Sequence, residues 1–369
     1  MAQGVVVVYE PHHQNYAQSH ERASRAELAK RLAAIKGARF AGDYDPLKHY
    51  PGPVYFVPSD TIIGLETANR LGIRSEQDLF GGVVPYAFTT TKVITHPLFQ
   101  PDSQAPTDWV PGFARRVHDI VLPGFSVFSR VDASRAGARL LERGTVRLKP
   151  ARASGGQGQI VVSGVAELEA ALDEIDLEAL STHGLVLEEN LADVTTFSVG
   201  WVHVAELVAS YYGTQHLTRD NNRATVYGGS ELVVVRGDFD TLLGRDLPVE
   251  ARLAVVQARA YDAAATAHFP GLFASRRNYD IAVGLAARGQ RRSGVLEQSW
   301  RIGGASCAEI AALHAFQAEP ALRVVRASSV EIYGNGDIPP DAIVFFRGID
   351  DQVGPITKYA LVKRYDDTR

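Results

Sequence analysis

Lys149-Pro150-Ala151-Arg152-Ala153-Ser154-Gly155-Gly156-Gln157-Gly158 is the segment on which the fold reading turns. The apolar run Thr145 to Leu148 reads as a strand that ends at Lys149, and the strand Ile160 to Val162 follows the glycines directly. Glycine has no Cβ, so Gly155, Gly156 and Gly158 let backbone N–H groups approach phosphate oxygens closely. The dinucleotide motif G-x-G-x-x-G and the P-loop G-x-x-x-x-G-K-[ST] both open a helix, and this loop does not. Protein kinases also place a glycine flap between two strands, but the chain has no HRD or DFG sequence to complete that set. Taken alone, the segment is open between a phosphate loop and a loose hairpin.

Working outward, Val186-Leu187-Glu188-Glu189-Asn190-Leu191 is an apolar strand ending in carboxylates. An adenine pocket needs apolar walls, backbone groups at the ring edge and an acceptor for the exocyclic amine, although strands also end in solvated charges. Further on, Asn278-Tyr279-Asp280 and Leu296-Glu297-Gln298-Ser299-Trp300-Arg301 place carboxylates on apolar strands either side of a Gly-, Arg- and Gln-rich turn. If these strands pair, Asp280 and Glu297 converge, and carboxylates beside a triphosphate need Mg²⁺ between them and its oxygens. The alternative for Asp280 is an exposed ion pair with Arg276, Arg277 or Arg301.

The order K-x-x-x-x-x-G-G-x-G, a strand ending in Glu, Asp, then E-x-x-x-R resembles the ATP-grasp superfamily of carboxylate–amine ligases, such as D-alanine:D-alanine ligase and biotin carboxylase. The resemblance spans roughly residues 85 to 310 and looks like a bacterial branch. It implies an α/β and α+β chain: an ATP-grasp fold behind an N-terminal Rossmann-like domain. By this resemblance Lys92, in Thr89-Thr90-Thr91-Lys92, is the first ATP-binding lysine, and Lys149 is the second, reaching the α- and β-phosphates. Ser154 to Gly158 is the loop closing over the triphosphate, and Glu188, Glu189 and Leu191 form the adenine hinge. Asp280, Glu297 and Ser299 match the ligands of Mg²⁺ or Mn²⁺. Arg301 matches the arginine of E-x-N-x-R, and Gly303 falls where some ligases turn backbone N–H groups toward the reacting carboxylate. Two departures stand out. Ser299 replaces a metal-binding carboxamide, and the ribose-binding acid aligns near Thr195 or Thr196, with Asp193 as a substitute.

The implied activity is activation of a small-molecule carboxylate by ATP as an acyl phosphate, opened by an amine or other nucleophile. Two rivals are biotin-carboxylase-like chemistry on a separate carrier and a non-catalytic ATP-binding regulatory or scaffold protein. Met1 is the only methionine, so the usual M-K-M biotinylation sequence is absent.

Composition sets the outer bounds. With 369 residues, 46% hydrophobic and 22% charged, the chain reads as two or three folded units. The formal charge of −4 lacks the basic excess of a dedicated nucleic-acid binder. No uncharged apolar run reaches the roughly 20 residues a membrane span needs. The N-terminus has no basic region before its short apolar run, so a cytoplasmic protein is expected. The lone Cys307 allows neither an internal disulfide nor a CxxC site, and the histidines never form HExxH.

Four regions are expected: a Rossmann-like domain over 1–90, a central lobe over 91–185, a C-terminal lobe with the metal site over 186–320, and unassigned strands over 321–369. Strands are predicted at Val5 to Tyr9 and Val54 to Pro58. Helices are predicted at Ser24 to Lys36 (capping box Ser24 and Glu27, stop at Gly37), Ile62 to Leu71, Asp132 to Gly144, Gly164 to Leu180 and Val249 to His268. Another capping box, Ser306 with Glu309, opens a further helix. Pro97 to Pro111 reads as a linker or flap. Substrate contacts are sought at Glu10, His12, His13 and Ser59-Asp60-Thr61, and acceptor contacts at His216, Arg219, Asp220, Asn221, Asn222 and Arg223, which also suit a solvated hairpin. Whether the chain dimerises is open.

Overall fold

A computed structural model describes residues 4–11, 19–152, 158–334 and 336–365. Four consecutive valines make β1 (Val5–Tyr9), buried on both faces as a central parallel strand must be. It is covered by α1 (His20–Lys36) and flanked by β2 (Arg39–Asp43) and β3 (Val54–Pro58) in a parallel sheet of order β2-β1-β3. Helix α1 stops at Gly37 in the left-handed conformation, as expected, but begins before Ser24. Ser19 captures the first-turn N–H of Glu21, so Ser24 is an interior residue and not the cap. The helix predicted from Ile62 is interrupted at its start: β4 (Ile62–Ile63) is separated from α2 (Leu65–Leu71) by Gly64, whose φ of 87° no helix tolerates. β4 pairs with β5 (Gly82–Val84).

Two tight 3₁₀ turns, Ala87–Thr90 and Lys92–Thr95, precede α3 (Pro111–Val117). Pro97 to Pro111 is not a free flap. Leu98 bridges to Ser126, Phe99 packs on the central lobe and Trp109 meets the rings of Phe88 and Phe128, so its apolar residues outweigh its proline content.

The central lobe comprises β6 (Gly124–Val127), α4 (Arg130–Leu141), β7 (Val146–Pro150), β8 (Ile160–Val162), α5 (Val165–Asp173), α6 (Leu177–His183) and β9 (Leu185–Glu189). Its antiparallel sheet has the order β6-β9-β7-β8. Leu148, Leu185 and Leu187 point to the helical face, which leaves Lys149 and Glu188 on the other. Ser129 caps α4, which therefore begins two residues before the predicted Asp132. The predicted helix Gly164 to Leu180 is two helices, because Asp176 caps a new one through the N–H groups of Glu178 and Ala179.

The C-terminal lobe comprises β10 (Ala192–Val204), β11 (Leu207–Arg219), β12 (Thr225–Arg236), α7 (Phe239–Leu243), α8 (Val249–His268), β13 (Phe273–Ala274), β14 (Arg276–Leu285), β15 (Arg291–Ser299), α9 (Ser306–Ala318), β16 (Val324–Tyr333), β17 (Ile343–Asp350) and β18 (Gly354–Arg364), and eight of these strands form one sheet. β13 pairs with β5 instead of joining that sheet, whose order is β15-β14-β10-β11-β12-β16-β18-β17. One face packs on α8, which spans the predicted range, and the other on α9 and α1. The strands after residue 320 therefore extend this same sheet.

No described helix is long and apolar enough to cross a membrane.

Candidate active site

The two apolar strands flanking the Gly-, Arg- and Gln-rich turn do pair, and their antiparallel register sets Asp280 directly opposite Glu297. Burial and the neighbouring Glu297 carboxylate push the Asp280 carboxyl up to about 7, although Gln215 donates to its Oδ1 at 2.9 Å. Two mutually repelling carboxylates with few hydrogen-bond donors are a good fit for a divalent cation, which would relieve both burdens. Among the described residues no group of three or more His, Cys, Asp or Glu side chains is placed to hold a metal ion, which leaves this pair, with Ser299 two residues beyond Glu297 on the same strand, as the candidate donors.

Lys92 comes to this pair from the second 3₁₀ turn: its Nζ is 2.9 Å from Glu297 Oε2, and the side chain is buried. Gln298 sets that approach. Its amide donates to the carbonyls of Thr89 and Thr91, both at 2.9 Å, while its Oε1 accepts from Tyr261 at 3.2 Å. Across from them Lys149 lies at 2.9 Å from Glu188 Oε1, and His96 Nε2 lies at 3.2 Å from Glu188 Oε2. Burial alone would raise the Glu188 carboxyl, but Lys149 and His96 prevail and hold it down to about 2. Glu188 thus faces inward onto a lysine instead of ending the strand in solvent.

Where β9 ends, the segment expected to form a hinge is anchored: the Glu189 N–H donates to Pro123 O and the Asn190 N–H to Thr145 O. Leu191 is buried among Leu122, Ala282 and Ala286. Asp193 sits at a bulge of β10 with φ 49°. Ser154, Gly155 and Gly156 lie outside the described residues, as do His12 and His13; Gly158 is described, at φ 66°.

Sequence reading missed the base of the site. Arg276 is buried against Glu309, donating from Nε to both carboxylate oxygens at 3.1 Å and from Nη2 to Oε1 at 2.9 Å. Its Nη1 reaches Ser299 Oγ at 3.3 Å and the Arg301 carbonyl at 2.6 Å. Tyr211 donates to Glu309 Oε1 at 2.5 Å, and Asn278 donates to Tyr211 and Ser198. The predicted capping box is therefore absent. Ala305 occupies the cap position, and Glu309 is turned inward to a cation. Ser306 instead accepts from the Gly303 N–H at 3.1 Å, which engages the donor expected to face a reacting carboxylate. At Gly304 a Cβ would stand 2.4 Å from the Tyr227 ring, so only glycine fits there.

Asp280, Glu297, Ser299, Arg301 and Gly303 line one cleft of about 640 Å³. Its far walls are α1, with Arg25 held by Glu10, and the C-terminal strands, with Glu331, Tyr333 and Lys358. Arg301 Nε approaches Asp60 at 3.7 Å, and Ser59 lines the cleft as expected of a residue at the carboxyl end of a parallel strand. Of the β11–β12 hairpin, Asp220 lines the cleft, while Asn221 donates to Val353 O and Pro355 O. Cys307 also lines it, and burial pushes its thiol up to about 12.

A parallel-sheet domain, a small antiparallel lobe with a glycine-bearing hairpin, and a large antiparallel lobe with paired carboxylates define the ATP-grasp fold. Solved structures agree. N5-carboxyaminoimidazole synthetase from Staphylococcus aureus is 10% identical at a TM-score of 0.54, with 98% of this chain and 94% of that chain covered. Its ADP complex is 9% identical at the same TM-score and coverage. Phosphoribosylamine–glycine ligase from Thermotoga maritima is 13% identical at a TM-score of 0.52, with 99% and 93% covered. Comparison with curated proteins found no match. The chain belongs to the family described as "Protein of unknown function (DUF3182)", which matches residues 7–360.

Proposed function

We propose that the chain is an ATP-dependent ligase that activates a small carboxylate as an acyl phosphate and joins it to an amine or another nucleophile, releasing ADP and phosphate. The opposition of Asp280 and Glu297, with Lys92 against Glu297 and Arg301 in the same cleft, carries this reading.

In this scheme Lys149 and Lys92 neutralise phosphate oxygens, and the hinge at Glu189 and Leu191 takes the adenine. Asp280, Glu297 and Ser299 would hold Mg²⁺ or Mn²⁺, which supplies charge neutralisation for the triphosphate. Arg301 would hold the substrate carboxylate in line with the γ-phosphate, where two anions otherwise repel. The carboxylate oxygen attacks phosphorus and ADP leaves. The nucleophile then attacks the acyl carbon, phosphate departs, and the nucleophile's proton passes to solvent. The Arg276–Glu309 pair fixes the backbone on which Ser299 and Arg301 ride.

The test is Mg²⁺-dependent phosphate release from ATP against pools of amino acids and small carboxylates, for wild type and Glu297→Ala. Release stimulated by at least one pool and abolished by the substitution is expected. A wild-type chain that neither binds Mg-ATP nor releases phosphate with any pool would overturn the reading.

A further inference from the structure

A second cleft, of about 570 Å³, opens at the junction of the central and C-terminal lobes, away from Asp280 and Arg301. Its walls carry His96, His118, Arg139, Arg143, Arg291 and Arg292, against a single acid, Asp119, which pairs with His118. Arg291 is paired with Glu250 and Arg292 with Glu189. Among the described residues no carboxylate pairs with Arg139 or Arg143, so the cleft carries uncompensated positive charge. The C-terminal end of α4 opposes an anion here with about half a unit charge, which two full guanidinium charges outweigh.

A second observation points to a ligand. His96 lines this cleft at 1% exposure, its Nε2 turned to Glu188, and its Nδ1 is buried without a hydrogen-bond partner. The backbone beside it is Gly124, where a Cβ would come within 2.9 Å of Nδ1. The imidazole therefore keeps one unused polar atom at the cleft wall, in space that any larger residue would fill.

We propose that this cleft binds a compact, multiply charged oxyanion whose phosphate or carboxylate groups are gripped by Arg139 and Arg143 from the central lobe and Arg291 and Arg292 from the C-terminal lobe. Guanidinium groups suit such planar, bidentate partners, and the volume is that of a small-molecule site. The site is wired to the hinge. The consecutive carboxylates Glu188 and Glu189 each meet a side chain of the cleft wall, the His96 imidazole at 3.2 Å and the Arg292 guanidinium at 3.0 Å. An anion that recruits Arg292 weakens its hold on Glu189, so anion and nucleotide affect each other's affinity by the same factor. This coupling, though not the site itself, rests on the hinge reading given under the proposed function.

Calorimetric titration of the full chain with inorganic phosphate and, separately, with citrate tests the site and distinguishes the two chemistries. Saturable binding of one of them is expected, weakened by about tenfold or more in Arg139→Ser/Arg143→Ser and retained in Arg301→Ser. Both arginines are exposed, so the double variant should fold as wild type by circular dichroism. Absence of saturable binding to either anion overturns the proposal. Loss in Arg301→Ser with retention in the double variant also overturns it, by placing the anion in the other cleft. In a second arm, ADP affinity should shift severalfold with saturating anion and not shift in the double variant; an unmoved affinity in wild type overturns the coupling. A chain that binds the anion but no nucleotide would count against the ligase reading and not against this site.

Discussion

Lys92 Nζ stands 2.9 Å from Glu297 Oε2, a contact made by a tight turn and a strand far apart in the chain. Gln298, the neighbour of Glu297, holds that turn by two carbonyls. Gln298→Ala leaves those carbonyls without their donor, at about 1–3 kcal/mol. The expected outcome is a lower melting temperature and Mg-ATP affinity weakened by roughly tenfold, read by calorimetry. Unchanged affinity would show that the turn is positioned by something other than Gln298.

The Glu188 carboxyl at about 2 lies below its ordinary 4.5, so its pairing with Lys149 and His96 stabilises the fold fully above pH 4.5. That stability drains away as the pH falls from 4.5 towards 2. Glu188→Gln should flatten this acid limb and cost about 3–5 kcal/mol at neutral pH, because Lys149 remains buried without its carboxylate. Denaturant titration between pH 3 and pH 7 measures both, and an acid limb of unaltered slope would sink the argument.

Asp280 runs the other way. Its carboxyl at about 7 lies above its ordinary 3.8, so the ligand-free fold is favoured below pH 3.8 and loses that contribution as the pH rises through 7. Asp280→Asn should therefore melt higher than wild type at pH 8, with the gap narrowing at pH 5, while Mg-ATP binds more weakly. Thermal melts at the two pH values decide it. A variant less stable than wild type at pH 8 would refute the repulsion described for this pair.

Breaking the Arg276–Glu309 pair should be worse than replacing it. Glu309→Ala leaves a buried guanidinium unpaired and is expected to cost about 3–5 kcal/mol, whereas Arg276→Met/Glu309→Leu should cost less. Chemical denaturation of the single and double variants gives the coupling energy, and additive losses would mean that the pair is not a unit.

Where two carboxylates lie on paired strands, the residues showed their meeting in advance. Asp280 and Glu297 sit on apolar runs either side of a short Gly-, Arg- and Gln-rich turn, and antiparallel pairing across such a turn brings them together. Lys149 at a strand end was legible for the same reason. His96, which shares the Glu188 carboxylate with Lys149, was not, because the His96–Glu188 contact spans 92 positions and no periodicity records it. Glu309 was misread because S-x-x-E has capping spacing whether its glutamate meets a backbone N–H or a distant arginine. Asp176 divided a helix whose apolar spacing continued across the break, since period alone does not weigh a cap against a turn. Strands β16 to β18 carried no motif, and their place beside β12 follows only from sheet pairing.

Those last strands have a consequence for synthesis. Glu331, Tyr333 and Lys358 wall the cleft that also contains Arg301, yet they leave the ribosome after every residue assigned here to phosphate handling. A nascent chain stalled after α9 would lack one wall of the cleft and present β12 as an unpaired sheet edge, the kind of surface that recruits other chains. Translation through β18 thus covers that edge and completes the cleft, and premature stop codons in that stretch should produce insoluble product instead of a soluble, partly active one.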